Sequence, residues 1–228
     1  MTPAQLLVAH AVKLMILVGL LCMVARRRHR DCWSFTAYLV TVLVGNCMTT
    51  LWPERFFNHD FYVARQGLFD LLKLLVGVEI ACRVFAVFPG ARRVARRVVF
   101  AVLALTTVAF ALIPRYVPYA TWFEWQPRIV AGTVWLFTGT ALLVVWYRLP
   151  IRQWHRAILL GFTPYLLVFV SLLGVLRAHG WDLRPLLGMF DALAYLALVT
   201  WWAWEAWRPQ EKLEASPAVL RRLGLEFR

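Results

Sequence analysis

Apolar residues in this chain come in blocks of about 20, separated by short charged breaks. A helix of that length spans the hydrocarbon layer of a bilayer and satisfies its backbone internally, which a strand or loop in lipid does not do. Of the residues, 61% are hydrophobic, where a soluble domain usually has roughly 45–50%. The blocks predict helical spans at 5–25, 34–52, 67–88, 96–113, 128–147, 156–176 and 186–207. The expected fold is therefore all-α, a polytopic seven-transmembrane-helix bundle over residues 1–208 with a short tail at 209–228. Seven spans use nearly the whole chain, so no separate soluble domain is expected. Pro164 falls inside the sixth span and predicts a kink. In the tail, AVLRRLGLEF reads as a short surface helix or a frayed end.

Charge gives the orientation. The net charge is +13, nearly all of it from arginine. One alternating set of breaks, with the tail, holds Arg26, Arg27, Arg28, Arg30, Arg92, Arg93, Arg96, Arg97, Arg148, Arg152, Arg156, Arg208, Lys212, Arg221, Arg222 and Arg228. The other holds Arg55, Arg65, Arg115, Arg128, Arg177 and Arg184. The division is 16 against 6. Basic residues accumulate on the cytoplasmic side, so the N-terminus is expected outside and the C-terminus in the cytoplasm. Tryptophan follows the same division, with Trp52, Trp122, Trp125 and Trp181 at the outer boundary. Trp33, Trp146, Trp154, Trp202, Trp204 and Trp207 are expected at the inner one. Arginines placed this way meet lipid headgroups, and no nucleic-acid partner is expected.

Polar residues inside spans are the clearest functional signal, because a charge at mid-membrane costs about 2.5–3.5 kcal/mol on insertion scales. His10 and Lys13 in the first span, Asn46 in the second, Asp70 and Lys73 in the third and Asp191 in the seventh all fall in the outer half. Asp70 and Lys73 are spaced to pair on one helix face, with Gln66 one turn above. Asp191 is then left for Lys13 or His10. If the four helices adjoin, these groups form a ligand or proton site open to the outside; the alternative is a set of ion pairs that only holds the bundle together. Deeper in the third span, Glu79 and Arg83 are spaced i,i+4 and read as a structural ion pair. This span is the most polar and should face the bundle interior.

The chemistry of known catalytic motifs is missing: there is no H-E-x-x-H, no G-x-S-x-G and no glycine-rich phosphate loop. No catalytic residue and no cofactor is expected. Glu54, His59, Asp60, Glu124, His179 and Asp182 lie in outer breaks without ligand spacing, so no metal is expected. The segment PRYVPYATWFEWQP, from Pro114 to Pro127, reads as an aromatic loop at the headgroup layer or over a pocket. Cys22, Cys32, Cys47 and Cys82 form no C-x-x-C pair and are expected as free thiols. The first block lacks a preceding basic region and a cleavage site, so it reads as a retained span.

The run VEIACRVFAVFPGARRVARR, from Val78 to Arg97, is similar to a segment of uncharacterised bacterial seven-helix integral membrane proteins. The topology also resembles the seven-helix sensory modules that precede kinase or cyclase domains in bacterial signalling proteins. Retinal proteins are a poorer comparison, since the seventh span has no lysine for a Schiff base. These resemblances imply a multi-pass protein of the bacterial cytoplasmic membrane. The expected function is a sensor-like or accessory subunit that binds a small ligand or lipid and acts through a separate membrane protein partner. The alternative is a small proton-coupled or solute transporter.

Overall fold

A computed structural model of the protein describes residues 3–85, 97, 119–146, 149 and 151–209. Apart from Arg97, the expected fourth span lies outside the described residues, as do Arg92, Arg93 and the AVLRRLGLEF segment. Among the described residues there are seven α-helices, two short 3-10 turns and no strand. The helices are α1 (Pro3–Ala25), α2 (Trp33–Leu51), α3 (Pro53–Phe56), α4 (His59–Phe85), α5 (Tyr119–Trp146), α6 (Gln153–His179) and α7 (Arg184–Trp207). Five of them, α1, α2, α5, α6 and α7, are long and apolar enough to cross a membrane, which suggests a multi-pass membrane protein. α4 has the length but also Asp70, Lys73, Glu79 and Arg83, and it is not one of the five.

The surface of α1 explains why length and apolarity go together. Val8, Val12, Ile16, Gly19 and Met23 are buried at helical spacing. Leu7, Leu14 and Leu21, on another face, are exposed at 70%, 60% and 61%. A helix apolar on its outer face as well as its inner one is built for a nonaqueous surround.

The six long helices close into a ring in chain order: α1 packs on α2, α2 on α4, α4 on α5, α5 on α6, α6 on α7 and α7 back on α1. Call the end where α1 begins the upper end. α4 and α5 both run downward from it, and the expected fourth span falls between them. α1 and α7 also run the same way: Gln5 donates to the Pro185 carbonyl at the top, and Arg28 reaches the end of α7 at the bottom. The lower half of the interior is an aromatic core. Phe35 and Phe162 pack on Trp202 with ring centroids 4.8 and 4.6 Å apart, and Phe137 packs on Phe162 at 5.1 Å. Gly161 lets α6 approach α7 this closely; a Cβ there would sit 2.8 Å from both Leu198 and Trp202.

Several boundaries differ from the sequence expectation. α4 begins at His59 because Asn58 caps it: the Asn58 Oδ1 accepts from the Phe61 N–H at 2.8 Å. Residues 119–127, expected in the aromatic loop, are the first part of α5, and the helix continues through Pro127. α6 likewise continues through Pro164. The short α3 has Pro53 in its first turn, where a missing N–H costs nothing. Trp154 and Trp202, expected at the inner boundary, are buried in the core instead. Trp33, Trp146, Trp204 and Trp207 remain exposed near the lower end, and Trp52 near the upper end.

Candidate functional site: a charged cavity at the upper end

The upper half of the ring is not filled by side chains. It encloses a cavity of about 720 Å³. Its floor is three tyrosines from three helices. The Tyr38 and Tyr195 hydroxyls are 3.2 Å apart, and the Tyr165 hydroxyl donates to Asp191 Oδ1 at 3.2 Å. The rings of Tyr165 and Tyr195 lie 5.4 Å apart. Tyrosine suits this place because its ring packs on the aromatic core below while its hydroxyl meets polar groups above. The mouth is ringed by the α3–α4 segment, including Phe57, Asn58 and His59.

Four of the six residues expected to form the site line this cavity: Lys13, Asn46, Lys73 and Asp191. Asp70 stands just behind the wall, 2% exposed, and pairs with Lys73 at 2.9 Å. Its second carboxylate oxygen is buried and has no hydrogen-bond partner. Lys73 also lies 5.0 Å over the Phe169 ring. His10 is not brought to the site; it is exposed on α1, because the face toward the interior passes through Val8 and Val12.

The expected pairing of Asp191 with Lys13 or His10 is not made. Lys13 Nζ instead donates to Thr50 Oγ1 at 2.9 Å, and the Thr50 hydroxyl in turn donates to the Asn46 carbonyl at 2.8 Å. Asp191 instead accepts from the Tyr165 hydroxyl. Sequence reasoning also passed over Arg65, which it placed with the outer-break arginines. α4 starts early enough to carry Arg65 into the wall, beside Thr49 and over the Tyr62 and Phe69 rings. Tyr38, Tyr165 and Tyr195 were likewise overlooked. The available signal was a tyrosine at mid-span, whose hydroxyl needs a partner in a dry interior.

The lower end treats its charges differently. Glu79 and Arg83 pair as expected, at 2.5 Å. The other Glu79 oxygen accepts from the Ser34 backbone N–H at 3.0 Å, from the Ser34 hydroxyl and from the Cys32 thiol. Cys32 precedes α2 and offers no side-chain cap of its own. A carboxylate from α4 thus does the capping, where free N–H groups and the positive end of the helix dipole favour an anion. Burial and the Glu79 charge push the Cys32 thiol up to about 12, so it stays protonated and can donate.

Arg28 plays the converse part. It was expected to meet headgroups from a loop, but it is 4% exposed. Its guanidinium donates to the carbonyls of Glu205 and Arg208, at the negative end of α7, and lies 5.4 Å over the Trp154 ring. Burial lowers its pKa from the ordinary arginine value, and Asp31 and Glu205 oppose that. Asp31 pairs with Arg152, and its carbonyl lies 2.9 Å from His155 Nε2, which is also 3.0 Å from Arg83. That nitrogen donates to the carbonyl or accepts from Arg83, according to its tautomer.

Comparison with models of protein families, with curated proteins and with solved structures finds no match. Function is therefore read from the geometry of the cavity.

Proposed function

We propose that this chain is a seven-span protein of the bacterial cytoplasmic membrane, with its N-terminus outside, that senses a small polar ligand in the upper cavity and acts through a separate membrane partner. The observation that carries this reading is the cavity itself. Lys13, Arg65 and Asp191 enter it from α1, α4 and α7, and none of the three has an ion-pair partner among the described residues. Structural ion pairs neutralise each other, because a lone buried charge is costly. Charges that stay apart around a cavity are the arrangement of a binding site.

A route from ligand to partner is available. Tyr38, Tyr165 and Tyr195 link α2, α6 and α7 at the cavity floor, directly above the Phe35–Phe162–Trp202 core. Below that core, Arg28 holds the end of α7. A ligand that draws Asp191 toward it would shift α7 against α2, and the basic lower loops would display the shift. Mass spectrometry of the protein purified in mild detergent tests this, scoring proteins and small molecules that accompany it. A stoichiometric membrane partner is expected. A lone chain that drives solute flux in liposomes would overturn the reading.

One observation favours a carrier instead: Asp70, paired with Lys73 through one oxygen, has its second carboxylate oxygen buried without a hydrogen-bond partner, and ionisable groups inside spans often line ion or proton pathways. A proton-coupled carrier predicts flux that Asp70→Asn and Asp191→Asn each abolish. Unchanged flux in both variants counts against it.

A further inference from the structure

The cavity wall carries more positive than negative charge. Among the described residues its lining has Lys13, Arg65, Lys73 and Arg184 and one carboxylate, Asp191. Lys73 is already engaged. It is 4% exposed, pairs with Asp70 at 2.9 Å and acts electrostatically on Asp191 as well. One cation thus serves both carboxylates of this region, and neither carboxylate forms an ion pair with Lys13 or Arg65.

Lys13 and Arg65 come together on α2. Lys13, from α1, donates to Thr50 Oγ1 at 2.9 Å, and Arg65, from α4, donates to Thr49 Oγ1 at 3.5 Å. The two threonines are adjacent in sequence, both line the cavity, and both donate onward to the Asn46 carbonyl. They offer the two cations only neutral acceptors. An ammonium has three N–H donors and a guanidinium five, so both cations keep donors to spare. Arg65 Nε is itself buried without a hydrogen-bond partner. Beside these polar groups the lining is aromatic. The Arg65 guanidinium lies 5.9 and 5.7 Å from the ring centroids of Tyr62 and Phe69, and Phe56 packs on Phe61 at 4.9 Å.

We propose that the cavity binds an organic oxyanion, a carboxylate or phosphate monoester on an apolar body, with its oxygens held between Lys13 and Arg65 against α2. Each cation would make charge-assisted hydrogen bonds to it, and the planar guanidinium fork matches two oxygens of either group. The anion offsets the repulsion of two like charges brought to adjacent residues, which nothing described offsets now. The aromatic lining takes the apolar body, and a volume of about 720 Å³ is in the range of small-molecule sites. The bound anion joins α1 to α4, while a neutral donor on its body, such as a hydroxyl, is what would draw Asp191. This inference rests on the ligand-sensing reading above and narrows it to one chemical class. A free organic acid and the headgroup of an anionic lipid share that chemistry.

Calorimetric titration of the whole protein in mild uncharged detergent tests it with four probes of one shape: benzoate, phenyl phosphate, benzylamine and benzyl alcohol. The two oxyanions are expected to bind about tenfold or more tightly than the amine and the alcohol. Lys13→Gln and Arg65→Gln should each bring benzoate down to the level of benzyl alcohol. Arg65→Lys, which keeps the charge and loses the fork, should fall between. Arg156→Gln, an exposed residue away from the cavity, should leave binding unchanged. Circular dichroism and the melting temperature establish that each variant is folded. Titration in phosphatidylcholine nanodiscs with and without phosphatidylglycerol separates the two sources. Benzoate binding that phosphatidylglycerol suppresses assigns the site to a headgroup, and binding that it leaves unchanged assigns it to a free acid; both sustain the oxyanion. Benzylamine or benzyl alcohol binding as tightly as benzoate would overturn it, as would unchanged benzoate binding in both glutamine variants at the site. If neither oxyanion binds, the oxyanion falls, while a stoichiometric partner in the purification would still sustain the sensing reading.

Discussion

At the lower end of the bundle Arg28, Glu79 and Asp31 each meet a specific partner on another element; at the upper end Lys13, Arg65 and Asp191 surround a cavity without meeting one another. The two ends start from similar materials, charged and aromatic side chains on the same helices. They differ in what those side chains satisfy. Below, ionic groups complete the ends of helices, which would otherwise leave backbone groups unpaired in a nonpolar surround. Above, Lys13, Arg65 and Asp191 each hydrogen-bond one side chain, Thr50, Thr49 or Tyr165, and line the cavity. Charge that the fold needs and charge that the fold only tolerates should therefore respond differently to mutation.

The largest effect is expected at Arg28. Arg28→Ala removes two charge-assisted hydrogen bonds, each contributing about 1.5–3 kcal/mol, and leaves the end of α7 uncapped. A loss of about 3–5 kcal/mol is expected in denaturant titration in mixed micelles. Arg28→Lys should recover less than half, since one ammonium does not reproduce the fork that reaches two carbonyls. A fully stable Arg28→Ala variant would break the contrast between the two ends.

A smaller loss, about 1–3 kcal/mol, is expected for Glu79→Gln, which keeps the shape but weakens the cap on α2 and the pair with Arg83. The sharper measurement is a double-mutant cycle with Ser34→Ala. If Glu79 acts through the α2 cap, the two losses should be non-additive by at least 0.5 kcal/mol or so. Additive losses would take the Ser34 hydroxyl out of the cap and leave it to the Ser34 N–H and the Cys32 thiol.

The sequence made some of this contrast legible and hid the rest for physical reasons. Span length and apolarity are local properties, so five long apolar helices could be read directly. So could the i,i+3 and i,i+4 pairs on α4, which need only helix periodicity. The depth of each polar residue followed from counting along its helix, and that was enough to bring Lys13, Asn46, Lys73 and Asp191 to one cavity. Rotation about the helix axis was not legible. His10 and Lys13 are three residues apart, yet one is exposed on the outer surface and the other lines the cavity. Arg28 was hidden for a different reason. An arginine in the run RRRHR looks like its neighbours, and only the left-handed turn at Arg27, φ 55°, followed by the 3-10 turn carries Arg28 inward. The Glu79 cap was invisible because it joins residues 45 positions apart.

The smallest effects come from adding a methyl group at each end, and they separate a rigid wall from a yielding one. At Gly161 a new Cβ meets Trp202 and Leu198 at 2.8 Å. Leu198 borders a small cavity and can yield, but the indole is 2% exposed and packed against Phe35 and Phe162. Gly161→Ala is expected to cost about 1–3 kcal/mol, the usual range for overpacking a filled core. At Gly45 a new Cβ meets the Arg65 side chain at 3.0 Å and the Phe69 ring edge at 3.3 Å. Arg65 is an unbranched chain beside an open cavity, so it can swing aside at little cost. Gly45→Ala should change stability by less than about 1 kcal/mol, with part of any loss offset by the better helix propensity of alanine. Yet the same small displacement moves a guanidinium that lines the cavity. Binding of the small molecule that accompanies the purified protein should therefore weaken severalfold in Gly45→Ala and stay unchanged in Gly161→Ala once both are compared at equal folded fraction. The opposite ranking, with the lower-end variant disturbing binding and the upper-end variant disturbing stability, would mean that the ends are coupled more tightly than their separate charge networks imply.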